Sequence, residues 1–136
     1  MLRSRLLPAT LLRIAEAGQV FTFGKGDEDG RLGHAEDIES KSQPTPVRAL
    51  EGVKVLSISL GFNHSVALTD NCLVYSWGRS EYGQLGHNDI APSMTPRMVE
   101  SLCDKGVHTI STGAFHTCAL GSELPGPGLP CASVHL

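Results

Sequence analysis

Residues 72–87 read CLVYSWGRSEYGQLGH, and residues 18–34 read GQVFTFGKGDEDGRLGH. The stretches end alike: Gly30/Gly83, Leu32/Leu85, Gly33/Gly86 and His34/His87 are each 53 residues apart. They begin alike too, with Val20/Val74, Phe21/Tyr75, Phe23/Trp77 and Gly24/Gly78 standing 54 apart. The first loop, GKGDEDG, therefore carries one residue more than its counterpart, GRSEYG. A second block fills the gaps. VLSISLGFNHSVAL, residues 55–68, matches VHTISTGAFHTCAL, residues 107–120, with Ile58/Ile110, Gly61/Gly113, His64/His116, Ala67/Ala119 and Leu68/Leu120 each 52 apart. A third block sets Thr45-Pro46 against Thr95-Pro96, 50 apart. Blocks that keep one order at nearly one period mark an internal repeat, and a period of this size belongs to repeat architectures such as solenoids and propellers.

One repeat predicts four short strands. KVLSISLG alternates apolar and small residues and ends on glycine, which is the period-two pattern of a strand. HSVALTD is the next strand, and Asp70-Asn71 turns the chain into LVYSWG, an aromatic and β-branched third strand. TPRMVE, opened by Pro96, suits an outer edge strand, where a missing N–H costs no ladder bond. Four-stranded antiparallel units repeated radially are the blades of a β-propeller. The fold class read here is all-β, with four-stranded antiparallel blades of an incomplete propeller.

Composition narrows the function. The chain has 136 residues, 15 Gly and 8 Pro, consistent with many short elements. Its formal net charge of −3 leaves no basic footprint for a nucleic-acid backbone or an anionic membrane. No run approaches the roughly 18 apolar residues of a membrane helix. Cys72, Cys103, Cys118 and Cys131 contain no C-x-x-C pair, so they are read as reduced thiols, with Cys72 and Cys118 inside strand-like runs. Arg3, Arg5 and Arg13 with no acid before Ile14 would also fit a mitochondrial address. The repeat favours a leftover strand there, with Thr10 standing opposite His64. The compartment expected is cytoplasmic or nuclear, with mitochondrial as the alternative.

The series G-x-x-H-[ST]-x-A-L, V-[FY]-x-[FW]-G and G-[RQ]-L-G-H resembles the regulator-of-chromosome-condensation repeat, from Gly18 to Leu120. That resemblance implies a seven-bladed propeller. It also implies relatives that include an exchange factor for the GTPase Ran, scaffolds fused to ubiquitin-ligase domains, ciliary proteins and a plant light receptor. The light receptor relies on clustered tryptophans, and this chain has only Trp77. The domain reading gives residues 1–17 to a remnant of a preceding blade or an alternative terminus. Residues 18–120 hold the repeats, with one full blade at 53–100 between partial ones, and residues 121–136 form a flexible Pro/Gly-rich tail. About 2.6 repeats, where roughly three are the usual minimum, predict marginal stability and self-association through open sheet edges.

Gly24, Gly33, Gly61, Gly78, Gly83, Gly86 and Gly113, with His64 and His116, are read as structural repeat residues: glycine for positive φ or close approach, histidine to pin the blade by hydrogen bonding. A phosphate cradle would need a helix after the glycine-rich loop, and a calcium loop would need its glycine later than Gly30. Cys103, His108, His116 and Cys118 could be drawn as a zinc set, but two of them merely repeat His64 and Val66. No catalytic constellation, metal site or cofactor site is called for. The loop residues that differ between copies, Asp27, Glu28 and Asp29 against Arg79, Glu81 and Tyr82, are the candidate partner-binding positions. The expected function is a non-enzymatic protein-interaction scaffold from a fragment or truncated isoform of a larger propeller protein. Its partner would be a protein such as a small GTPase or a ubiquitin-pathway component. The alternatives are guanine-nucleotide exchange on a Ran-like GTPase and a non-functional truncated product.

Overall fold

A computed structural model describes residues 3–7, 10–26, 29–35, 39–122 and 132–135. Three antiparallel sheets follow one another along the chain. The first contains β1 (Arg3–Leu7), β2 (Thr10–Ile14), β3 (Val20–Gly24) and β4 (Lys41–Pro46), hydrogen-bonded in chain order. The second contains β5 (Val55–Leu60), β6 (His64–Thr69), β7 (Val74–Gly78) and β8 (Ser93–Met98), again in chain order. The third joins β9 (Val107–Thr112), β10 (Thr117–Gly121) and β11 (Ala132–His135). Each of the first two sheets hands over to the next through one 3₁₀ turn, Arg48–Leu50 or Glu100–Leu102.

The middle sheet shows why these segments are strands buried on both faces. Every residue of β6 is buried. Alternate side chains on a strand point to opposite faces. Ala67 accordingly joins Ile14, Val20, Val47, Leu50, Val55, Ile58 and Trp77 between the first and second sheets. Its neighbours Val66 and Leu68 join Val74, Val99, Leu102, Val107, Ile110 and Ala119 between the second and third. Each interface is plugged by the leucine of a 3₁₀ turn, Leu50 on one side and Leu102 on the other, both fully buried. Stacked neighbours thus supply the core that no single sheet can enclose. The first strands of adjacent sheets also meet, Ser59 Oγ lying 2.8 Å from Thr112 Oγ1.

Several details depart from the sequence expectations. Residues 3–7 complete a four-stranded first sheet, with β1 pairing β2 from Arg3↔Ile14 to Leu7↔Thr10. Arg3-Ser4-Arg5 shares no motif residue with Val55–Leu60, and a ladder made by backbone groups needs none. Thr10 pairs with Gly24 as His64 pairs with Gly78, so it does occupy the histidine position of the repeat. Residues 123–131 of the tail lie outside the described residues, but Ala132–His135, free of Gly and Pro, pair with β10 as a strand. The Thr-Pro block is a false match. β4 sets Phe21↔Pro46 and Thr22↔Thr45, whereas β8 sets Tyr75↔Met98 and Ser76↔Arg97. Thr45 therefore corresponds to Arg97, not Thr95. A two-residue slip keeps every side chain on its face, so the pattern alone does not reveal it. Edge placement does hold for Pro96, since β8 ends its sheet.

Cys72 is not in a strand. It lies in the turn after β6 at φ 61°, and its N–H donates to Thr69 O at 3.2 Å. Gly18 holds the same place after β2, at φ 81°, donating to Ala15 O at 2.9 Å. A left-handed residue closing a tight hairpin costs an L-amino acid about 1–2 kcal/mol. Gly18 is further constrained, because an added Cβ would stand 2.7 Å from Lys54 Cγ and 2.9 Å from Val55 N. Cys72→Gly is accordingly expected to stabilise the chain by about 0.5 kcal/mol after the entropy cost of glycine, and Gly18→Ala to destabilise it by about 2 kcal/mol. Urea unfolding followed through Trp77 fluorescence measures both.

Candidate functional site

In an up-and-down sheet, alternate connections emerge at the same end. The β5–β6 turn and the β7–β8 loop therefore share one end of the middle sheet. The β3–β4 loop and the β9–β10 turn take the same end of the flanking sheets. The loops carrying the differing residues, and the turns inside G-x-x-H, thus converge on one face.

Hydroxyl groups hold those loops down. Thr22 Oγ1 donates to Leu32 O at 2.7 Å, and Ser76 Oγ donates to Leu85 O at 2.7 Å. With its proton so placed, each hydroxyl accepts from a ring N–H: His34 Nε2 lies 2.7 Å from Thr22 Oγ1, and His87 Nε2 lies 3.0 Å from Ser76 Oγ. The histidine ending G-x-L-G-H is thereby tied back to the third strand of its own sheet. Burial, with the nearby Arg97 charge, holds His87 below the ordinary histidine range.

The next carbonyl upstream reaches the following sheet. Ser65 Oγ donates to Arg31 O at 3.4 Å, and Trp77 Nε1 donates to the same oxygen at 3.1 Å. One repeat on, Thr117 Oγ1 donates to Gln84 O at 2.8 Å. Thr117 Oγ1 then accepts from His64 Nε2 at 3.0 Å, a buried bond between second and third sheets. His64 is only 1% exposed. Its ring folds back over Gly61: a Cβ there would collide with His64 Cε1 and Nδ1. Gly113 meets His116 in the same manner, although His116 is exposed. The glycine of G-x-x-H is thus required by the histidine ring, and at Gly61 also by the Gly113 carbonyl 2.8 Å from such a Cβ, and not by a positive φ, unlike Gly24, Gly33, Gly78, Gly83 and Gly86.

The rim of this face carries charge and aromatic surface. Arg79 bonds Glu81 at 2.8 Å and reaches Asp29 of the first sheet's loop at 3.7 Å. Arg79 N donates to Asn63 O at 2.8 Å, fixing that loop beside the β5–β6 turn. Tyr82 N donates to the buried Gln84 side chain at 2.9 Å, leaving the ring outside. Phe115 stacks edge-on against Phe62, centroids 5.6 Å apart, and against Tyr82 at 5.3 Å. Asp29, Arg79, Glu81 and Tyr82 are therefore together; Asp27 and Glu28 lie outside the described residues. Phe62 and Phe115 were not singled out from sequence. Their signal lay in the two free positions between Gly and His, where each copy has one phenylalanine. Among the described residues no three His, Cys, Asp or Glu side chains cluster to hold a metal. Nor is any helix long and apolar enough to cross a membrane.

Two outcomes follow from His64. Gly61→Ala should cost about 2–3 kcal/mol, because the displaced ring breaks its bond to Thr117. In a His64→Ala background the same change should cost less, the remainder reflecting the Gly113 carbonyl 2.8 Å from the added Cβ, and a double-mutant cycle by urea unfolding reads the difference. Burial pushes the His64 pKa down to about 4, an effect increased by the His116 charge and partly opposed by a backbone bond at His116. The unfolded chain, with a histidine pKa near 6.5, takes up a proton that the folded chain refuses. Stability from this group is therefore complete above about pH 6.5 and falls by about 3 kcal/mol as pH drops toward 4. His64→Asn should flatten that slope in unfolding measured across pH.

Comparison with known proteins agrees with this architecture. The family model "Regulator of chromosome condensation (RCC1) repeat" matches residues 17–68 and 73–120. Human Alsin is 43% identical over 102 residues, covering 75% of this chain and 6% of Alsin. The human E3 ubiquitin-protein ligase HERC2 is 38% identical over 112 residues, covering 82% of this chain and 2% of HERC2. Prp20p of Saccharomyces cerevisiae, solved in work on its binding to Gsp1p and histones, superposes with a TM-score of 0.77 at 19% identity, over 90% of this chain and 32% of Prp20p. The chain thus spans a small part of the relatives it matches. With its blades, its repeated glycine and histidine positions and its family match in agreement, this chain belongs to the RCC1 repeat family.

Proposed function

We propose that this chain is a protein-interaction module that presents the loop end of its blades to a protein partner. The supporting observation is the rim itself: loops from three sheets place Asp29, Arg79, Glu81, Tyr82, Phe62 and Phe115 on one end, linked across sheets by an ion pair and two ring contacts. These side chains add nothing to the two buried clusters. Function on a repeat scaffold concentrates in such loops, which rigid strands position. Prp20p, which shares the fold, is described by its binding to other proteins. Nucleotide exchange on a Ran-like GTPase is the alternative, but the 19% identity to Prp20p carries the fold alone.

The test is a pull-down from cell extract with the full chain. Replacing Arg79, Glu81 and Tyr82 together by Ala, or Asp27, Glu28 and Asp29 together by Ala, should reduce recovery of a bound protein at least several-fold. Replacing Asp70 and Asn71, exposed in a turn at the opposite end, should not. Equal recovery from every variant would remove the reading.

A further inference from the structure

Phe62, Phe115 and Tyr82 are 55%, 47% and 65% exposed, yet their rings touch. Exposed aromatic residues gathered from separate loops mark an interaction surface more often than scattered single ones do. Nothing in the fold requires them. Gly61 and His64 are fixed by the ring packing described above, as are Gly113 and His116, and the phenylalanine between each pair turns outward. The turns themselves are held firmly, Phe62 N donating to Ala114 O of the next sheet at 3.2 Å. The cluster is therefore a preorganised platform, and its ordering cost is already met in the free protein.

The charge beside it selects the ligand. Glu81 and Asp29 both engage Arg79, so two carboxylates share one guanidinium. The whole chain is at −3. Aromatic faces are electron-rich and attract cations, arginine above all. A single-stranded nucleic acid could stack on such rings, but its phosphates would meet the carboxylates with no basic groove to follow.

We infer that the Phe62–Phe115–Tyr82 cluster is a cation-accepting anchor, and that it takes a basic peptide segment whose arginine or lysine lies against the rings while Glu81 and Asp29 face the charge. This deepens the interaction-module reading and rests on it.

The probe is a fluorescein-labelled peptide, Gly-Ser-Arg-Gly-Ser-Arg-Gly-Ser, titrated with the full chain by fluorescence anisotropy. A Glu-for-Arg peptide and an oligothymidine serve as competitors in class. The arginine peptide should bind, and added salt should weaken it. Phe115→Ser and Tyr82→Ser should each weaken it about tenfold. Glu81→Gln, which leaves the rings intact, should weaken it less but measurably, and Asp70→Asn should leave it unchanged. Circular dichroism confirms that each variant folds. The inference is overturned if the arginine peptide fails to bind, if the ring variants bind it as well as the parent does, or if oligothymidine binds in preference. Loss of pull-down recovery in the Arg79/Glu81/Tyr82 variant, without binding of the arginine peptide, would overturn the cation assignment and leave the module reading intact. Peptide binding lost in the ring variants, with pull-down recovery unchanged in every loop variant, would do the reverse.

Discussion

Loops that pack between sheets carry backbone carbonyls out of reach of water, and these must be given donors. Leu32, Gln84 and Leu85 present three such oxygens and Arg31 a fourth that is partly buried, and Leu32 and Leu85 are themselves fully buried anchors. Each oxygen receives a hydroxyl proton from a strand: Thr22, Thr117, Ser76 and Ser65 respectively. An unpaired buried carbonyl costs about 1–3 kcal/mol, so this set of bonds decides whether the loops can lie down at all. Two of the four hydroxyls belong to the same sheet as the loop and two to the next. The same chemistry that closes a loop therefore joins one blade to its neighbour.

The histidines follow from the hydroxyls. A serine or threonine that has given its proton away keeps lone pairs that can still take a donor. His34, His87 and His64 supply ring N–H groups at 2.7, 3.0 and 3.0 Å. A neutral imidazole suffices for this, so burial and a depressed pKa are compatible with the role. The small residue at Gly61 is the last step in the chain of needs. The ring can reach Thr117 only by lying over backbone that has no Cβ. Hydroxyl, histidine and glycine thus form one dependent set.

That dependence explains how much of the fold was legible. Positions fixed by the apolar clusters, the close-packed glycines and the hydroxyl–histidine bonds repeat at 52–54 residues, and from that repeat with its strand alternation the blades could be read. Positions outside the repeated motifs could not. β1 and β11 pair through main-chain groups, and their residues echo no motif. The match of Thr45-Pro46 with Thr95-Pro96 misled because edge strands tolerate a two-residue slip. Cys72 read as strand because its identity hides what Gly18 announces in the same turn. The candidate site was half visible: differences between loop copies pointed to Asp29, Arg79, Glu81 and Tyr82. Phe62 and Phe115 were hidden, because an aromatic residue beside a strand reads as core until the structure shows it outside.

Two kinds of position therefore coexist in every repeat, and physics separates them. A side chain that satisfies a buried carbonyl cannot change without stranding a partner in the interface. A side chain in the free positions of G-x-x-H, or at the tip of the third-to-fourth strand loop, can change at little cost to the fold. Divergence between copies must accumulate where stability does not restrain it. Alternate strand connections all emerge at one end, so those free positions also lie on one face. The blade architecture thus builds a surface that can be altered residue by residue above a framework that cannot. In this chain that surface holds touching rings from Phe62, Phe115 and Tyr82 beside an acid-rich ion chain. The framework accounts for neither feature.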